Sequence, residues 1–381
     1  MEYSLDPKTN LDATIDVDLT SKIFLLIFYL HLLVICVVGN GMILSGCFGR
    51  GVLKTDRVTV MCVEGLALLD CAIALFHGFP VVVTLLSGGW VLGPVMCLLN
   101  AFVSRALYIN EIFLTVSISC YRLWMLKQPR AVRDRINLCN ARGFLLLLSA
   151  VSLGLAGSQL HFGGVRFEPL FLSCTFTQIS GGNSPELTAL GSVILLAIPM
   201  IIIIVTNLLI VTTAAKNSRA VRIRSALPIP MIAGSELRRS SSALFAQTTT
   251  TLPKLEKRSS RSEQSTFITI SMVCWLFVCS YLPTIVLTIF IATKYTPPNW
   301  YYPFTVAFLT INIAANPFVY GATNKSFREY VLMTGRTRCS VALKRMVGMT
   351  WRRKGSGFVP LESTLSGSGC QTEYRSRASD D

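Results

Sequence analysis

Most of this chain is too apolar to need charged or amide side chains, so the few that interrupt its oily runs are the residues with chemistry to offer. Asn40, Glu64, Asp70, Arg105, Asn110, Glu111, Arg122, Asn207, Asn312 and Asn316 all stand inside such runs. In a hydrocarbon setting each charged one costs at least a few kcal/mol unless it is paired. At a helical rise of 1.5 Å per residue, Glu111 lies about 21 Å from Cys97 and about 16 Å from Arg122, and Asp70 about 20 Å from Arg57. Both acids are therefore deep within their runs. Asn312 and Asn316 are four apart and share one helix face. Brought together, Asp70, Glu111, Asn312 and Asn316 would make one polar cluster. Two close carboxylates cannot both stay ionised without a cation between them, so the cluster either takes a sodium-like ion or keeps a proton. The plainer alternative is a hydrogen-bonded network that only joins helices.

The elements that would position these residues follow from composition. Of 381 residues, 52% are hydrophobic and 14% charged, against roughly 25% charged in soluble domains. The charges are unbalanced, 35 Lys+Arg against 20 Asp+Glu, for a formal +15. A nucleic-acid binder would place that charge on a polar face, whereas this chain has several apolar runs long enough to cross a bilayer. Read with a window of about 19 residues, they fall at 22–48, 58–86, 95–126, 143–162, 188–215, 265–293 and 299–321. The expected fold is all-α, a seven-transmembrane helix bundle. No 20–50-residue repeat appears, which excludes solenoids.

Basic residues set the orientation. The outer segments of this map hold only Lys8, Lys22, Arg166 and Lys294, and Arg105 lies within a span. The remaining basic residues fall on the opposite side, which the positive-inside rule makes cytoplasmic. Outer acids at Glu2, Asp6, Asp12, Asp16, Asp18, Glu168 and Glu186 agree. The amino terminus is expected outside, the carboxyl terminus inside, and the protein in the plasma membrane. The acidic start is not a secretory signal, so the first span is expected to serve as its own anchor. No Asn-x-Ser/Thr acceptor stands in the outer segments.

The map divides into an outer tail at 1–21, a membrane domain at 22–321 that includes an inner loop at 216–264, a short segment at 322–335 and a tail at 336–381. The loop and tail are basic and rich in Ser and Thr, a composition that favours disorder. Arg238-Arg239-Ser240 and Lys257-Arg258-Ser259 suit basophilic kinases. The histidines His31, His77 and His161 show no ligand spacing, so no metal site is expected. No nucleophile and base pair argues for an enzyme.

Several residues in order carry a family resemblance. They are Gly39-Asn40, Leu66-Ala67-Leu68-Leu69-Asp70, Trp90, Cys97, Arg122, Pro129, Pro199, Phe277, Pro283 and Asn316-Pro317-Phe318-Val319-Tyr320. Over residues 22–335 the chain resembles the rhodopsin-like (class A) G-protein-coupled receptors. Phe327-Arg328 then fits a short amphipathic eighth helix on the inner leaflet. The resemblance implies an extracellular ligand, a sixth helix that pivots at Pro283, and a heterotrimeric G protein engaged near Arg122. It also implies arrestin and kinase contacts through the Ser/Thr-rich tail. Pro199, Pro283 and Pro317 lie inside spans, where proline kinks a helix. Cys97 and Cys174 alone fall on the oxidising outer side, where a disulfide would tie the second outer loop to the third span. Cys339 is a palmitoylation candidate. A transporter or channel is the alternative, but the continuous polar path or inverted repeats it needs are not evident.

Departures from the family pattern are specific. Arg122 is flanked as Tyr121-Arg122-Leu123, without the usual acid before it. Glu263, at the inner end of the sixth span, is the expected substitute partner. Tyr281 stands in place of a Trp, Ser149 near another, Asn207 in place of a Tyr, and Glu111 in place of a Ser. Tyr121, Arg122, Glu263, Phe277, Pro283, Pro317 and Tyr320 make up the expected activation switch.

The pocket residues argue against two ligand classes. Amine receptors place an aspartate where this chain has Ser104, and opsins need a lysine in the seventh span, where 299–321 has none. A biogenic amine and retinal are therefore disfavoured. Arg105 lies about 12 Å below Cys97, at pocket depth, and suits a carboxylate or phosphate. An intramolecular partner or a snorkelling side chain is the alternative. Tyr108, His77 and Tyr281 are expected to line the same cavity with Ser104 and Arg105. A small anionic molecule, a lipid or a peptide would fit this reading.

Overall fold

A computed structural model of the chain describes residues 11–15, 18–50, 56–178, 185–226, 268–291, 293 and 295–334. The chain divides into Met1–Leu332 and Met333–Asp381, and all seven long apolar helices belong to the first of these units. Each of the seven is long and apolar enough to cross a membrane. The first runs Leu19–Arg50, the third Gly93–Lys127, the fourth Leu138–Phe162, the fifth Pro185–Ala226 and the seventh Tyr301–Thr323. The second spans Arg57–Ser87 and the sixth Ile268–Ile291. Leu146, Leu147, Ile201 and Phe318 expose most of their surface. Such apolar outer faces suit lipid rather than water.

Helix ends follow local rules. Asp18 accepts the Ser21 N–H and starts the first helix, Asp56 does the same for the second through Thr59, and Asn324 caps the last short helix through Phe327. In each case a short side-chain acceptor satisfies an orphan N–H of the first turn. Gly88 ends the second helix with φ +81° and returns its N–H to the Thr84 carbonyl, a backbone shape that glycine adopts without strain.

The structure moves several expected boundaries. The first helix begins at Leu19, within the expected outer tail, and the short terminal helix occupies 325–334 because the seventh continues to Thr323. The fifth helix runs to Ala226, so the inner loop expected at 216–264 opens with two to three helical turns. Three arginines, two alanines and Lys216, all good helix formers, make up most of that stretch. The rest of that loop and the 336–381 tail, with Glu263, Cys339 and both kinase motifs, lie outside the described residues.

The segment between the fourth and fifth helices holds a feature the all-α expectation omits, an antiparallel hairpin of β1 (Gly163–Glu168) and β2 (Ser173–Gln178). Its residues alternate by face, as a strand requires. Val165, Phe167, Cys174 and Phe176 turn inward against Trp90 and Ala101, while Arg166 and Glu168 pair at 2.9 Å on the other side. Cys97 and Cys174 form the disulfide that pins this hairpin to the third helix. The main apolar core lies lower, where Ile112, Ile118, Ile203, Val273, Phe277 and Tyr320 meet between helices.

Candidate functional site

Prolines within the helices set the geometry of the polar residues. Pro80 lacks an N–H and frees the carbonyl four residues back, at Phe76, inside a π-helical turn over Ala74–Gly78. Asn100 (2.6 Å) and Ser104 (3.3 Å) from the third helix donate to that carbonyl. Ser104 therefore braces the second helix rather than facing open space. Pro317 likewise frees Ile313, whose carbonyl accepts Asn40 Nδ2 at 2.9 Å. Gly39 makes the close approach possible, since a Cβ there would fall 2.5 Å from Pro317 Cγ.

The structure brings the four predicted cluster residues together in the bundle centre. Asn316 donates to Asp70 Oδ2 at 2.7 Å, Asn312 donates to Glu111 Oε1 at 2.6 Å, and Tyr281 OH donates to Glu111 Oε2 at 3.1 Å. All are buried, both acids completely. Asp70 Oδ1, Asn316 Oδ1 and Asn40 Oδ1 are buried acceptors with no donor among the described residues. A site with more acceptors than donors is chemically suited to a small cation or a retained proton.

Tyr281 links this cluster to the sixth helix. Its ring stacks on Phe277 at 4.3 Å, and its hydroxyl reaches down to Glu111. Above it, His77 meets Tyr108 edge to face at 5.6 Å, and among the described residues neither His77 Nε2 nor Tyr108 OH has a hydrogen-bond partner. Arg105 lies within electrostatic reach of Tyr281. Among the described residues its guanidinium forms no hydrogen bond and no ion pair. The tyrosine in the Trp position thus gives the sixth helix a polar link to the buried acids.

At the inner end, Arg122 is buried and 3.9 Å from Asp56, with Nη1 facing Oδ1. Tyr121 OH donates to Asp56 Oδ2 at 2.9 Å, and the Thr59 N–H donates at 2.9 Å. Burial acts to raise the Asp56 carboxyl, but the Thr59 N–H, Arg122 and the Thr59 and Tyr121 hydroxyls outweigh it and hold it below the usual carboxylate value. The expected partner Glu263 lies outside the described residues, and the described acid beside Arg122 comes from the second helix. Asp56 was not among the expected switch residues, although Asp56-Arg57-Val58-Thr59 before an apolar run has the form of a helix start.

A second inner network was also missed. Asn207 Nδ2 donates to Ser119 Oγ at 3.2 Å and to the Ile203 carbonyl, while its Oδ1 accepts Ser271 Oγ at 3.1 Å. Thr206 joins Ser119. One amide thereby links the third, fifth and sixth helices, where a larger tyrosine would have to point elsewhere. Farther out, Asn110 donates to Ser149 at 3.0 Å and ties the third helix to the fourth.

Residues 39–320 match the family described as 7 transmembrane receptor (rhodopsin family). The chain belongs to this family. Melatonin receptor type 1A of Phodopus sungorus is 24% identical over 80% of this chain and 77% of its own length, and that of Mus musculus is 24% identical over the same shares. A crystal structure of squid rhodopsin shares the fold, with TM-score 0.67 and 19% identity over 84% of this chain and 87% of that one. The receptor is thus a multi-pass membrane protein that binds an extracellular ligand and signals through a G protein. The transporter or channel alternative has no support.

Proposed function

We propose that ligand binding in this receptor is read by Tyr281 and relayed through Glu111 to the inner cleft at Arg122. The observation that carries this reading is the Tyr281 to Glu111 hydrogen bond, which joins the sixth helix to the buried acids. The ligand site comprises Arg105, Tyr108, His77 and Tyr281, with Ser104 shaping its wall. Asp70, Glu111, Asn312 and Asn316 hold either a sodium ion or a proton, which stabilises one state of the bundle. Arg122 with Tyr121, Phe277, Pro283, Pro317 and Tyr320 forms the switch. When it opens, the sixth helix swings and the G protein engages, a two-state shift driven by differential affinity.

The amino terminus faces outward and the carboxyl terminus the cytoplasm of the plasma membrane, where the basic inner face also meets anionic lipid. Receptor kinases and arrestin act on the Ser/Thr-rich tail. A second reading, prompted by the named relatives, is an uncharged indole such as melatonin as ligand. Guanine-nucleotide exchange on a broad G-protein panel, with and without melatonin, tests both readings. Stimulated exchange with melatonin supports the second, whereas no exchange from any G protein under any ligand or activating substitution sinks the signalling claim.

A further inference from the structure

Arg105 is in an unusual position for a cation. Its row along the third helix, Ala101, Ile109 and Ile112, is buried, and helical spacing places these side chains on one face. Yet the Arg105 side chain is itself exposed. Protein nevertheless surrounds the guanidinium, with Tyr281 of the sixth helix near enough to act on its charge, so the exposed group faces into the bundle and not away from it. The combination describes a guanidinium opening into the outer space between the helices.

Among the described residues the surroundings supply no counter-charge. Glu111, two turns deeper, has both oxygens engaged by Asn312 and Tyr281. Glu168 is paired with Arg166 on the hairpin. A charged side chain at this depth that faces open space marks a ligand path, and a guanidinium presents two parallel N–H groups that match a carboxylate. Lys22 lies against Gly88 at the end of the second helix. With Arg105 as the cation at the site, a singly charged anion balances the charge where a phosphate dianion would not.

The remaining wall selects the body of the ligand. Tyr108 is one turn from Arg105, and its ring meets His77. Tyr108 OH and His77 Nε2 are buried without partners among the described residues, and Tyr281 lies deeper, bonded to Glu111. We infer that the pocket takes an aromatic carboxylate, its acid group on Arg105 and its ring against Tyr108, His77 and Tyr281. A hydrogen-bonding group on the ring would satisfy Tyr108 or His77. This inference rests on the receptor reading and makes it narrower.

The test uses full-length purified receptor and a panel of aromatic carboxylates, indole-3-acetate among them, each paired with its own carboxamide. Binding is read as the concentration that shifts thermal unfolding. A charge-assisted bidentate contact predicts that at least one acid binds about tenfold or more tighter than its amide. Arg105→Gln abolishes that preference, and Arg105→Lys keeps part of it. No acid outbinding its amide, or a preference that survives Arg105→Gln, overturns the inference. Ligand-free nucleotide exchange by an Asp56→Asn receptor is measured alongside. Exchange without anion preference rejects the carboxylate alone, and anion preference without exchange from any G protein, in this variant or under any acid of the panel, rejects the signalling reading alone.

Discussion

Asp56, the residue that starts the second helix, is the acid beside Arg122 of the third, at 3.9 Å, and Tyr121 donates to the same carboxylate. The arginine is buried while the acid is partly exposed, so loss of the acid leaves a buried cation with weakened compensation. Asp56→Asn should therefore favour the open inner cleft. A bias of about 1–2 kcal/mol corresponds to roughly 5- to 30-fold higher basal nucleotide exchange. Glu263→Ala should raise it less, and the reverse order in an exchange assay would return the restraint to Glu263.

The same contact has a defined pH response. Asp56 titrates below its ordinary value of 3.8, so its contribution is complete above that value and is lost only as pH falls through the lower folded one. The stability difference between the parent and Asp56→Asn should be flat from about pH 8 to 5 and shrink in stronger acid. Thermal unfolding across that range checks it. A difference that changes near neutrality would contradict the assignment.

Contact between the first and seventh helices depends on two adjacent residues. Gly39→Ala places a Cβ 2.5 Å from Pro317 Cγ, and overpacking of this kind costs roughly 1–3 kcal/mol. Asn40→Ala removes the donor to the Ile313 carbonyl and leaves a buried acceptor at a cost of about 1–3 kcal/mol. Both should lower the unfolding temperature of the purified receptor. Unchanged unfolding in Asn40→Ala would mean that the freed carbonyl finds another donor.

Glu111 distinguishes a functional cluster from one that only joins helices. If Asp70 and Glu111 share an ion or a proton, Glu111→Ser should alter how thermal stability and basal exchange depend on sodium or on pH. Matching sodium and pH curves for parent and variant would reduce Glu111 to a structural hydrogen-bond acceptor.

Asn207 holds the sixth helix through Ser271 and the third through Ser119. Asn207→Ala should release the inner end of the sixth helix and raise basal exchange, with a smaller rise for Ser271→Ala, which breaks only one of the two links. A fall in basal exchange in both would place Asn207 in the active arrangement instead.

Much of this architecture is written locally. A bilayer demands apolar runs of fixed length, so the seven spans can be read with edges a few residues out, and the polar interruptions Asp70, Glu111, Asn312 and Asn316 stand out against them. Periodicity and depth put both asparagines on one face and both acids at mid-depth, and the hydrogen bonds pair Asn316 with Asp70 and Asn312 with Glu111. The hairpin between the fourth and fifth helices was less legible, because two short strands tied by a disulfide produce no long periodic pattern.

The sequence alone determined the seven-helix class, the depth of the buried acids and the absence of an acid beside Arg122 within its own motif, since length, hydropathy and spacing are local properties. Only the tertiary structure decided which distant groups complete each local deficiency. Asn40 answers the carbonyl that Pro317 frees, Asn100 and Ser104 answer the one that Pro80 frees, and Asp56 answers Arg122. Each pairing joins different helices, and its partner is fixed by helix rotation and crossing rather than by any neighbour along the chain. Arg105 is the converse case: among the described residues packing brings it no acid, and that open charge was visible only once the helices were in place.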